Sequence, residues 1–132
     1  MLLFILSRFF IFQLIILLLL ALANYFSPLK LGFVQDVLLL PLLTIYLVYN
    51  YCKAHQSFLT TAEKTKVFYA LVLSDALIQS VLTFVSPQGM IPVTSFANAA
   101  LSYAGIMVFH SLMIYFAIGY SKTLFEKQQL QR

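Results

Sequence analysis

Residues 67–85 read V-F-Y-A-L-V-L-S-D-A-L-I-Q-S-V-L-T-F-V, a hydrophobic run with Asp75 near its midpoint. As a helix rising about 1.5 Å per residue, the run reaches about 28 Å, close to the ~30 Å hydrocarbon core of a bilayer. A charged side chain at the centre of such a span costs roughly 2.5–3.5 kcal/mol on insertion scales, so Asp75 requires a partner, a proton or water. Gln79 and Thr83 follow it at four-residue intervals, and the three share one helix face. The reading that decides the fold is therefore a membrane span carrying a polar stripe.

Composition agrees. Apolar residues make up 62% of the 132-residue chain and charged residues 9%, against about 45–50% and about 25% in soluble domains. A soluble chain of this length has too little interior to hide that much apolar surface, whereas lipid accepts it. The net charge of +4 lies in short segments beside hydrophobic runs, which fits membrane topology better than a nucleic-acid footprint. The single cysteine, Cys52, excludes an internal disulfide and paired-cysteine redox or metal chemistry.

Working outward from 67–85 gives four spans, at about residues 9–26, 33–51, 67–85 and 96–120. The first admits two readings. Arg8, an apolar core and Ala21-Leu22-Ala23 imitate a signal peptide with an A-x-A cleavage site. A retained span is favoured, because Leu2–Leu6 leaves no defined polar leader and the run stays apolar to Phe26. The turn at Ser27–Lys30 contains Pro28, and the turn at 86–92 contains Pro87 and Pro92. In the second span Pro41 removes a backbone donor and predicts a kink, and Asp36 lies near the rim beside Lys30.

Between the second and third spans, Thr60-Thr61-Ala62-Glu63 has capping-box spacing, so the third helix should start before its apolar part, at Thr60. The tail from Ser121 to Arg132 is amphiphilic, suited to the membrane surface. Arg8, Lys53, Lys64, Lys66, Lys122, Lys127 and Arg132 fall on one side of this layout and Lys30 alone on the other. The positive-inside rule then places both termini and the long loop in the cytoplasm. The expectation is an all-α, integral membrane four-helix bundle with both termini cytoplasmic, multi-pass in the cell inner membrane.

Site expectations centre on Asp75, Gln79 and His110. The third and fourth helices are antiparallel neighbours, and Asp75 and His110 lie at similar depth. The rotation that would bring them together is not fixed by the sequence. Two uses compete: a proton or cation site in a small transporter or channel, and interhelical glue. Glue is favoured, with Asp75 bonded to Gln79, Ser80, Asn98 or His110. Asn98, Ser102 and Gly105 share a small-residue face, expected to pack within the bundle. No metal site, cofactor or catalytic residue is expected. Cys52 and His55 lack a second ligand pair, and there is no nucleophile turn or Gly-rich phosphate loop. Expected partners are the lipid bilayer and a second copy or another membrane protein, with no nucleic acid.

In length and span number the chain is similar to the small multidrug-resistance transporters. It departs from them in its first helix, where Gln13 and Asn24 stand in a span that should carry an essential Glu, and in its strong charge bias. With Thr60, Glu63 and Lys64 as a T-x-x-E-K loop and a basic tail ending at Arg132, it resembles uncharacterised four-span bacterial inner-membrane proteins. It has Leu59 where their Pro would stand. That resemblance implies a fold and a compartment without an activity. The expected role is a structural or accessory membrane subunit, with a homo-oligomeric proton-coupled transporter or channel through Asp75 and His110 as the alternative.

Overall fold

The computed structural model describes residues 2–26, 35–84 and 96–131. The turns read at Ser27–Lys30 and at 86–92 lie outside them, as do Phe33 and Val85 at the expected ends of two spans. The fold is all-α with four helices. Helix α1 is Leu2–Phe26. Helix α2 is Leu40–His55, entered through a π-helical turn at Gln35–Leu39. Helix α3 is Thr61–Phe84 and α4 is Phe96–Leu130. Among the described residues three segments are long and apolar enough to cross a membrane: Leu3–Ala23, Val37–His55 and Asn98–Leu130. The chain has the make-up of a membrane protein.

Several boundaries differ from the spans read in the sequence, because a helix need not stop where its apolar stretch does. Helix α1 already begins at Leu2 rather than near Phe9. Helix α2 continues past Tyr51 to His55. It closes on Gln56 in the left-handed conformation at φ 55°, while Gln56 Nε2 donates to Lys53 O at 2.7 Å. The expected break at Pro41 takes a specific form. The π-helical turn ends at Leu39, immediately before the segment that opens Leu40-Pro41, so the missing proline donor falls at the change of winding.

The capping box at the start of α3 forms as its spacing predicts. Thr60 N donates to Glu63 Oε2 at 2.9 Å, and Glu63 N donates to Thr60 Oγ1 at 3.3 Å. Lys64 N donates to Thr60 O at 2.8 Å, closing the first helical turn. The tail is not a separate surface segment. It is the last part of α4, anchored by Phe125, which is buried and lies 6.3 Å from the Phe58 ring. Tyr49 of α2 donates to Gln128 Oε1 at 2.7 Å, fixing the same end.

Among the described residues the helices pack in the ring order α1–α2–α4–α3, with α3 closing back on α1. Each contributes a buried seam spaced by three and four residues. In α1 the seam is Ile5, Phe9 and Gln13; in α2 it is Leu40, Leu43, Leu47, Val48 and Cys52. Helix α3 turns Val67, Leu71, Asp75 and Ile78 inward. Helix α4 turns in Ala99, His110, Ile114, Ala117, Ser121 and Phe125. Large apolar side chains such as Ile11, Leu18, Leu77, Val108 and Phe116 remain exposed on the outside. Water would penalise that surface, at about 25 cal/mol per Å², and a hydrocarbon surround would not.

Candidate functional site: a buried Gln–Asp–His cluster

The seams of α1, α3 and α4 each carry a polar residue at one level. Gln13 is 3% exposed, Asp75 0% and His110 1%. Their depth follows from position on the seam: Gln13 lies one turn beyond Phe9, Asp75 one turn beyond Leu71, and His110 one turn before Ile114. Gln13 Nε2 donates to Asp75 Oδ1 at 2.7 Å. His110 Nδ1 lies 2.6 Å from Asp75 Oδ2. Both carboxyl oxygens of Asp75 therefore face a nitrogen from a different helix. The cluster ties α3 to both of its ring neighbours.

Electrostatics explain why the partners are of these two kinds. A lone carboxylate in apolar surroundings loses several kcal/mol of solvation. Beside an imidazolium its charge is cancelled, and with the proton on the carboxyl the pair carries no charge. Either state suits a low dielectric. The Nδ1–Oδ2 separation is that of a direct, short hydrogen bond. Gln13 adds a neutral donor to the other oxygen. Its own Oε1 is buried and accepts no hydrogen bond among the described residues.

The three residues expected to form the site divide. Asp75 and His110 meet, through a helix rotation that the sequence left open. Gln79, at 7% exposure, is buried one turn further along α3, but Asp75 takes its partners from other helices rather than from Gln79. Two side chains on one helix face at a four-residue interval point in parallel, and a facing helix reaches Asp75 more directly. The side chain of Thr83 lies outside what is described. Of the other partners suggested for Asp75, Ser80 instead donates to Ala76 O at 2.7 Å and lies 3.0 Å from Tyr103 Oη. Tyr103 itself donates to Ala76 O at 3.0 Å, a second polar tie between α3 and α4.

The packing face expected at Asn98, Ser102 and Gly105 is corrected. Asn98 and Gly105 are exposed and Ser102 is half-buried. A methyl group added at Gly105 would meet nothing within 4 Å. The face that turns inward is Ala99–Tyr103–Ile106–His110, with Ala99 at 3% exposure and Tyr103 and Ile106 half-buried. His110 stands about 100° round the helix per residue from its neighbours, so a seam through His110 cannot also run through Asn98 and Gly105. The buried position of His110 decided between the two faces.

Gln13 is the site residue that sequence reasoning missed. A signal for it was present: it interrupts the run F-F-I-F-Q-L-I-I-L-L-L-L at residues 9–20, and a polar side chain amid such residues is itself expensive to bury without a partner. Among the described residues no group of three or more His, Cys, Asp or Glu is arranged to hold a metal ion.

Fold and cluster together define an all-α bundle with membrane-length helices, pinned by an internal carboxylate–imidazole–amide network. Comparison of the chain with protein-family models, curated proteins and solved structures finds no match.

Proposed function

We propose that this chain is a small four-span protein of the bacterial inner membrane with a structural or accessory role, in which the Gln13–Asp75–His110 cluster locks the helices together. The observation that carries this reading is the occupation of Asp75 on both oxygens by side chains that are all at most 3% exposed. A transport site must be reachable from water in turn on each side, and Asp75 in this arrangement is committed to its neighbours. The charge distribution supports both termini on the cytoplasmic side. The likeness to uncharacterised four-span inner-membrane proteins fits the same compartment. Catalysis has no support in the sequence, which lacks a nucleophile turn and a second carboxylate at the depth of Asp75.

In the accessory role, the exposed Asn98–Gly105 side of α4 is the surface available to a partner helix, since small residues permit close backbone approach. Native mass spectrometry of the protein extracted gently from its own membrane tests the reading. A foreign subunit held by the wild type and lost with Gly105→Leu supports it. A homo-oligomer with no foreign subunit contradicts it.

That second result would favour a proton-coupled transporter or channel. One feature supports this alternative specifically: the Asp75–His110 contact can exchange a proton, and the buried Gln13 Oε1 beside it has acceptor capacity for water or a cation. Its test is flux in proteoliposomes with Asp75→Asn. Full flux in a variant that inserts normally would remove it.

A further inference from the structure

Away from the cluster, an open groove of about 560 Å³ runs along the outside of α4. Pro41 and Ile45 of α2 form one wall, and Met113 and Phe116 of α4 lie along its length. Lys64 of α3 closes the other side, with Nζ 5.1 Å from the centroid of the Tyr115 ring. Thr123 and Tyr120 line it further along α4, and Gly119 leaves its floor open, since a Cβ there would meet nothing within 4 Å. The volume lies within the ~300–1,000 Å³ of ordinary ligand sites.

We infer that this groove seats an acyl chain of an anionic phospholipid whose phosphate is held by Lys64. The apolar walls suit a hydrocarbon chain, and an opening on the outer flank of the bundle admits one sideways from a bilayer. Lys64 supplies the charge. It lies over an aromatic face and makes no ion pair with a carboxylate among the described residues, whereas Lys122 lies 3.6 Å from Glu126. Basic pockets between membrane helices attract anionic headgroups for the same reason.

Charge also argues for lipid over a second copy of this chain. The chain has four acidic residues. Asp75 is buried in the cluster, Glu63 accepts from Thr60, and Glu126 faces Lys122. Asp36 remains, in the π-helical turn that leads into Leu40-Pro41. A second copy thus brings Lys64 a chain with three of its four carboxylates already engaged, whereas every anionic phospholipid carries a phosphate. The inference depends on the membrane placement of the chain and not on the role assigned to the cluster.

The test uses the full chain in mixed micelles with equimolar phosphatidylglycerol and phosphatidylcholine of matched acyl chains, read by native mass spectrometry. The wild type should retain phosphatidylglycerol over phosphatidylcholine by about fivefold, the effect of one basic side chain near a headgroup. Lys64→Gln should bring the ratio near unity, while Lys66→Gln, which removes the same charge two residues away, should leave it unchanged. Gly119→Leu keeps every charge and fills the floor, so retention of both lipids should fall. Protection of the buried Cys52 thiol from alkylation identifies folded protein in each case. An absent preference in the wild type, an equal loss with Lys66→Gln, full retention by folded Gly119→Leu, or a dimer in place of bound lipid would each overturn the inference.

Discussion

Replacing His110 by Leu takes one of two partners from a carboxylate that has no contact with solvent. Stripping one member from a buried ion pair costs about 3–5 kcal/mol in soluble proteins. Hydrogen bonds between membrane helices contribute less, about 0.6–2 kcal/mol, because the separated helices also find partners. Gln13 would still donate to Asp75 Oδ1, so the carboxyl keeps one of its two partners. The lower range therefore governs, and His110→Leu should cost about 2 kcal/mol. Gln13→Leu removes a neutral donor only and should cost about 1 kcal/mol. The informative variant is Asp75→Leu with His110→Leu, which removes both groups, built in the Gln13→Leu background so that no buried amide loses its acceptor. Replacing both partners of a buried polar pair by apolar groups is nearly neutral, so the double variant should be more stable than His110→Leu alone in that background. Reversible unfolding in mixed micelles, followed by helical circular dichroism, measures all four corners of the cycle. Additive losses, with the double variant weaker than either single one, would refute the reasoning.

The corrected packing face gives a paired prediction. Ala99→Leu places a large side chain where Ala99 is 3% exposed, and overpacking should cost about 1–3 kcal/mol. Gly105→Leu meets open space and should leave stability unchanged or raise it by up to about 1 kcal/mol through helix propensity; the same unfolding assay checks both. Thr60→Ala removes the cap of α3 and should destabilise its first turn by about 1 kcal/mol, seen as faster amide exchange at residues 63 and 64. Hydrogen bonds from the Thr60 backbone N–H and then its hydroxyl hold the Glu63 carboxyl below the usual carboxylate range. That contribution is full above the unfolded carboxylate range and is lost as pH falls through the lower folded value. Amide protection at the start of α3 should weaken on acidification, and Thr60→Ala, which removes the hydroxyl bond but keeps the backbone N–H bond, should reduce that dependence without abolishing it.

The sequence made the helices legible because their signals are local. Apolar runs, the prolines and the Thr60–Glu63 spacing each act within a few residues. Asp75 could be singled out for the same reason, since one carboxylate in a span is costly wherever its partner lies. Which partner it takes depends on helix rotation, and rotation is weakly encoded when a helix is apolar on every side, as α1 is. Gln13 was therefore visible as an interruption without being assignable to Asp75. In α4 the small residues drew attention to Asn98–Ser102–Gly105, but small side chains are tolerated on an open face as readily as at a contact. The three-and-four spacing from Ala99 through His110 to Ser121 and Phe125 passes through residues of mixed polarity, so hydrophobicity alone does not reveal it.

The central claim is that Gln13, Asp75 and His110 meet inside the bundle. Solid-state nuclear magnetic resonance in lipid bilayers addresses it directly, with 13C on the Asp75 carboxyl and 15N on the Gln13 amide and His110 ring. Strong through-space transfer from the Asp75 carboxyl carbon to both His110 Nδ1 and Gln13 Nε2 is the predicted result. Transfer to neither nitrogen, from protein that remains helical and inserted, would contradict it.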